Sequence, residues 1–243
     1  MSEESKETKK ENEEKETKNE NETKEKETEQ VKSDTKTTFN NAKESIRNVN
    51  FKEDAKVTSG YVSGMIKNPL ETLKKIVADR KNSNFKNALI LVFLWLIVIL
   101  LTSIFGVHWT RKVIGYNFLE MIRDLLAPII GIVVYAYIIY FMQKSSKRNL
   151  TTNITVVTTA IIPMILVEIL SVLKLFSYDF NKIISPLSIF ATAISMVLIY
   201  FSTKDLMDED DDNTFIKKFC SIQFIYFVVY FILTFLKIYI PII

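Results

Sequence analysis

Polar residues fill the first fifty positions, and apolar residues then arrive in long uncharged runs. The run Ala88–Val107 holds twenty consecutive residues without a charge. A helix rises ~1.5 Å per residue, so twenty residues span about 30 Å, the thickness of a bilayer's hydrocarbon core. In lipid the backbone must satisfy its own polar groups, and a helix does so within one segment. Four further runs qualify as spans: Leu125–Gln143, Leu150–Leu173, Ile183–Thr203 and Phe219–Leu236. The third contains one charge, Glu168, and the fifth is rich in Phe and Tyr. Interfacial aromatics border the spans at Trp109, Tyr116, Tyr178 and Tyr239. The first run, long and without a charge, is expected to organise the rest.

Between the polar start and the first span, Val57, Tyr61, Val62, Met65 and Ile66 recur at helical spacing. Gly60 and Gly64 stand four apart, a weak packing signal outside a span. The segment Asn68-Pro69-Leu70-Glu71 then predicts a helix start. Asn is a good N-cap, Pro suits the first helical position, and Glu71 stands where a capping-box acid reaches back. Leu70, Leu73, Ile76 and Val77 form one apolar face, and Lys74, Lys75, Arg80, Lys81 and Lys86 supply positive charge. Such a helix either lies along an anionic membrane surface or packs on the end of the bundle.

Small residues predict packing faces within the spans: Ala127 with Gly131, and Ser188 with Ala191 and Ser195. Pro128, Pro163 and Pro186 mark kinks or span ends.

Charge changes the picture in two ways. Residues 1–50 carry eleven Lys/Arg against fourteen Asp/Glu, whereas residues 51–243 carry twenty against fourteen. The overall +3 thus joins an acidic tail to a basic membrane part, and no nucleic-acid partner is expected. Near the span ends, twelve Lys/Arg fall on one side (before the first span and in the second and fourth connections) and six on the other. The positive-inside rule then places the N-terminus in the cytoplasm and the C-terminus outside. The tail before Phe39 has little apolar surface to offset the entropy of ordering, so disorder is expected over 1–50. It reads as a solubilising leader or as a charged docking tail.

Composition also bounds the chemistry. One cysteine, Cys220, and one histidine, His108, leave no cysteine zinc site and no paired-histidine metal site. The five glycines are too scattered for a phosphate-cradling loop. Asp208, Asp210 and Asp212 mimic the start of a calcium loop, but Asn213 stands where glycine is needed and Phe219 where the bidentate Glu belongs. No catalytic residue, cofactor or metal is expected. Glu168 is the one acid well inside a span, at a cost of about 2.5–3.5 kcal/mol on insertion scales. It is either a proton or cation relay or a partner in an interhelical hydrogen bond.

Five spans after a long polar N-terminal region, the lead-in Asn68-Pro69-Leu70-Glu71-Thr72-Leu73, and a proline inside the third span at Ile161-Ile162-Pro163 resemble the Yip (Ypt/Rab-interacting protein) domain family. The lead-in is similar to the NP-x-E-T motif of its bacterial members. The resemblance covers about 65–243. It implies the five-span fold and family membership and carries over no functional residues; eukaryotic members are implicated in vesicle traffic and Rab GTPase binding. The Lys-, Asn- and Ile-rich composition points to an AT-rich bacterial genome, hence a bacterial plasma membrane.

The expected architecture is all-α: a charged tail (1–50), an amphipathic juxtamembrane segment (51–87) and a five-span membrane domain (88–243). The expected function is a non-enzymatic scaffold or adaptor with lipid and unidentified protein partners. The competing class is a small transporter or channel subunit built on Glu168, which requires a continuous polar path past that residue. Reporter fusions after Lys147, Lys182, Asp212 and Ile243 should alternate inside, outside, inside, outside. Two adjacent fusions on the same side would remove a span.

Overall fold

The structure is a computed structural model that describes residues 28–48, 50–79, 84–109, 118–144, 148–209, 211–236, 238 and 240. The side chains of His108 and Trp109, all of Tyr116 and Tyr239, and the Tyr178 side chain lie outside the described residues. Two units are distinguished, Met1–Glu44 and Ser45–Ile243. In the charged tail a helix, α1, covers 28–47. Thr38 is the one buried side chain described between 28 and 44, so this helix owes little to apolar burial.

The second unit holds the helices α2 (Phe51–Lys67), α3 (Pro69–Ala78), α4 (Phe85–Trp109), α5 (Phe118–Met142), α6 (Leu150–Ala160), α7 (Ile162–Ser171), α8 (Asn181–Met207) and α9 (Asp212–Phe235). Short 3-10 turns at Val172–Leu175 and Tyr178–Phe180 join α7 to α8. No strand occurs among the described residues. Helices α4, α5, α8 and α9 are each long and apolar enough to cross a membrane. The third expected span is instead a bent pair, α6 and the segment Ile162–Leu175, meeting at 52°.

Pro163 causes the break. It lacks an N–H, and its ring would clash with the carbonyl four residues back, that of Thr159. The Ile161 N–H caps α6 on the carbonyls of Val157 and Thr159. Eleven residues of α6 rise about 16 Å, which sets the break near mid-depth of a bilayer. The pair nonetheless runs from one end of the bundle to the other. Gln143, just past α5, meets Asn153 of α6 and the Leu206 carbonyl near the end of α8. At the far end the Val172–Leu175 turn packs on α4, and α8 then begins at Asn181.

The centre of the bundle is α6, not the uncharged first span. It packs against α3, α4, α5 and α8, and ten of its eleven residues are buried. By contrast α4 leaves Phe93, Leu94, Ile97 and Leu101 exposed, and α9 leaves Phe224, Phe227, Phe231 and Phe235 exposed. These are lipid-facing positions. In a bilayer the tails are as apolar as Leu, so an apolar helix gains nothing by moving inward.

The juxtamembrane segment forms an arm, α2 and α3, joined at Asn68. Its buried face is Thr58, Tyr61 and Met65 on α2 with Leu73 and Ile76 on α3. It packs on α4, α6 and α8, which favours bundle packing over the membrane surface for this face. The expected capping box does not form. The Asn68 amide is already committed to the Gly64 carbonyl at 2.8 Å, because Asn68 ends α2 as it begins α3. Glu71 therefore pairs with Lys75 at 2.8 Å. Pro69 does occupy the first turn, and the Thr72 amide and hydroxyl both donate to the Asn68 carbonyl.

The two arm glycines are not a close-approach face. A Cβ on Gly60 would meet nothing within 4 Å, and one on Gly64 would touch the Thr72 side chain at 3.4 Å. Glycine in a helix interior costs about 0.5–1 kcal/mol relative to alanine. Gly60→Ala should therefore raise the unfolding free energy by about that amount, read as a higher melting temperature in detergent; a lower one would mean that the glycine serves a contact.

Candidate functional site: a polar seam beside the arm

The buried helix α6 reads LTTNITVVTTA, the most hydroxyl-rich stretch of the membrane domain. Three groups of contacts hold its polar side chains. Asn149 caps the helix, accepting from the Thr152 amide at 3.1 Å. Thr155 and Thr159 donate to carbonyls one turn back, those of Thr151 and Thr155. This is the usual way for a helical hydroxyl to be satisfied in lipid. The Thr159 hydroxyl also bonds the Tyr61 hydroxyl of the arm, inside the protein.

The third group is an amide pair. Asn153, fully buried, donates from Nδ2 to Gln143 Oε1 at 3.0 Å and to the Ala136 carbonyl at 3.4 Å. Gln143 returns a bond from Nε2 to Asn153 Oδ1 at 3.3 Å and reaches the Leu206 carbonyl, also at 3.3 Å. Arg148 Nε donates to the Gln143 carbonyl at 3.2 Å, and its guanidinium stands 5.7 Å from the centre of the Tyr140 ring. One network thus joins α5, α6 and the end of α8.

The arm is fixed at its other end by polar contacts to the start of α4. The Thr58 hydroxyl donates to Asn87 Oδ1 at 3.3 Å, both residues buried. Lys86 Nζ lies 2.8 Å from Asp54 Oδ2 and 2.8 Å from the Asn48 carbonyl. The hydrogen bond from Lys86 holds the Asp54 carboxyl below the usual carboxylate range.

Glu168 lies in α7, half-buried, and accepts from the Ser171 hydroxyl at 3.4 Å. This partner is on its own helix rather than a neighbouring one. Ile161, Ile162 and Ile165, all buried, stand between Glu168 and the hydroxyls of α6. Among the described residues no hydrogen-bonded path links the two.

The expected packing residues fare differently. Ala127, Gly131, Ala191 and Ser195 are buried and Pro163 is half-buried, but Ser188 is exposed. The packed face of α8 runs instead through Ala191, Ser195, Leu198, Ile199 and Ser202.

Three acids at the turn from α8 to α9, Glu209, Asp211 and Asp212, bond within the chain. Asp208 ends α8 in the left-handed region, with φ 49°. Asp211 caps α9, accepting from the Thr214 amide at 2.9 Å and from its hydroxyl. Asp212 pairs with Lys204 and Glu209 with Lys218. The Thr214 and Lys218 contacts hold the Asp211 and Glu209 carboxyls below the usual range. No group of three or more metal-ligating side chains occurs among the described residues. Cys220 is exposed.

The sequence reading missed Gln143, Asn153, Tyr61 and the threonines. Their signal was present: Thr151, Thr155 and Thr159 recur every fourth residue, and amides inside spans are scarce.

The Yip1 domain family model matches residues 63–236, which takes in α3 to α9 and the last turns of α2. No curated protein and no solved structure matches the chain.

Removing one partner of a buried polar pair leaves the other unsatisfied, at a cost of about 1–3 kcal/mol. Asn153→Leu should therefore lower the detergent melting temperature, and Gln143→Leu likewise. The double variant should lose less than the two singles together, since the same bonds go. Additive losses would show that the amides act separately.

Proposed function

The chain belongs to the Yip1 domain family, and from that premise we propose that it is a membrane scaffold or adaptor without catalytic activity, presenting its arm and charged tail to protein partners in the cytoplasm. That it is a multi-pass integral membrane protein follows from its family and its apolar helices. The plasma membrane of a bacterium, with the N-terminus inside, is the setting proposed for it.

The observation that carries this reading is the closed interior. Asn153, Thr155 and Thr159 of α6 are engaged with its own carbonyls, with the arm and with α5, and buried isoleucines at the break follow them in the chain before Glu168. A transporter needs a polar route across the membrane, built around ionisable groups at mid-depth. What is left open to partners is the outer side of the arm, where Lys56, Ser59 and Lys67 of α2 and Lys74 of α3 are exposed.

The test is site-specific photo-crosslinking in cells. A crosslinking residue at Lys67 or Lys74 should give discrete protein adducts that Lys56→Glu weakens. The same residue at Ala193, on the lipid side of α8, should give none. Adducts no different from the Ala193 control would sink the proposal. So would ion flux in proteoliposomes that Glu168→Gln abolishes.

A further inference from the structure

Large apolar side chains exposed on the spans face lipid. Phe39 and Ile46 of α1 are different, because they precede every span and yet stand 69 % and 66 % exposed. They belong to one row. At about 100° per residue, Lys32, Lys36, Phe39, Lys43, Ile46 and Arg47 fall within a sector of about 100° on the helix. All six are exposed. Asp34 and Glu44 fall outside the sector, and Glu29 stands at its edge in the first turn. None of the four basic side chains is ion-paired among the described residues. The less exposed residues of α1, Val31, Thr38, Asn41, Ala42 and Ser45, centre on a direction about 140° away.

Charge is sorted along the tail as well. Residues 28–50 hold four basic residues against three acids, whereas residues 1–27 hold seven against eleven. The end of α1 is fixed at the membrane boundary. Residues 45–47 belong to the unit that contains the spans. The carbonyl of Asn48, one residue on, accepts from Lys86 Nζ at 2.8 Å, and Lys86 stands two residues before the uncharged run that opens at Ala88.

We propose that this row of α1 is a docking surface for anionic phospholipid headgroups of the leaflet on the N-terminal side of the first span, with Phe39 and Ile46 entering the acyl boundary. The chemistry of the row selects this occupant. Lysine and arginine carry their charge at the end of an apolar stem, so the head reaches a phosphate while the stem lies against the acyl boundary. Phe39 and Ile46 are seven residues apart, about 10 Å along one side of the helix, so both can enter one plane. The six side chains include no acid and no amide. Two apolar side chains hold a surface weakly by themselves, but the tie at Asn48 makes the event intramolecular, at high effective concentration. The adaptor role rests on the arm and does not depend on this surface.

The test uses the full chain in proteoliposomes, with Cys220→Ser and a spin label at Phe39→Cys. In vesicles of phosphatidylglycerol and phosphatidylcholine the label should be reached by oxygen and shielded from a water-soluble nickel complex. In phosphatidylcholine alone, and in detergent, it should be open to the nickel complex. A label at Thr37→Cys, exposed on another side of the helix, should stay open in every case. Lys36→Gln and Lys43→Gln should each shift the ratio of shielded to open label about fivefold towards open, the factor one basic residue contributes near an anionic surface.

A Phe39 label equally shielded in phosphatidylcholine alone or in detergent would mean that protein covers the row, and would overturn the proposal. So would a label open in all three media, or lysine variants that leave the ratio unchanged. Should the Phe39→Cys chain fail to accumulate, the same measurements at Ile46→Cys decide.

Discussion

Everything in the membrane domain depends on keeping a polar helix satisfied in an apolar medium. Helix α6 brings five threonines and an asparagine into the middle of the bundle. Water is not freely available there, so each polar group needs a protein partner or a trapped solvent molecule. The helix supplies part of what is needed through the bonds from Thr155 and Thr159 to its own carbonyls. The remainder comes from outside it: Gln143 beyond α5, the Leu206 carbonyl of α8 and the Tyr61 hydroxyl of α2. The arm is thus part of the core, although by hydropathy it is not a span.

The same constraint explains the broken third span. Its first half is polar and its second half, Ile162–Ser171, is apolar apart from Glu168 and the closing Ser171. Pro163 separates them, and the 52° change of direction lets each half meet different neighbours. The polar half faces α3, α5 and α8 together with α4, while the apolar half packs against α4 and α8. Buried isoleucines at the break keep the polar half from extending across the membrane. One proline thereby sets both the shape of the bundle and the limit of its polar interior.

Hydropathy made the spans legible, because the length of an uncharged run is itself the physical requirement for crossing. It could not rank them. In water the most apolar segment goes inside; in lipid that force is missing, and the most apolar span, α4, turns Phe93, Leu94, Ile97 and Leu101 outward. The first run therefore misled as an organising element, and the Thr-rich run was the core. Local signals carried equally specific limits. Pro69 began its helix as its fixed φ dictates. Glu71 could not complete a capping box, since nothing in the pattern told that the Asn68 amide would be used by the preceding helix. Ser188, Ala191 and Ser195 have the spacing of one face, but spacing does not say where that face stops meeting a neighbour, and it stops before Ser188.

Helix α9 shows how a lipid-exposed element is held without hydrophobic force. Its Phe-rich surface is as well solvated by acyl chains as by protein, so that surface cannot bind it to the bundle. Two kinds of directional contact remain. Inside the membrane, Gln223 Nε2 donates to the Tyr135 hydroxyl of α5 at 2.7 Å, and the Tyr135 and Tyr226 rings meet edge to face at 5.1 Å. At its start, the pairs Lys204–Asp212 and Glu209–Lys218 close the turn from α8, and Asp211 satisfies the first amides. The acidic loop, which looks like a cation site by composition, uses its charge to fix the angle at which the last helix leaves the bundle. Acids committed to a cap and to two lysines have little left to offer a metal, and the contacts that occupy them are the ones α9 requires to stay in place.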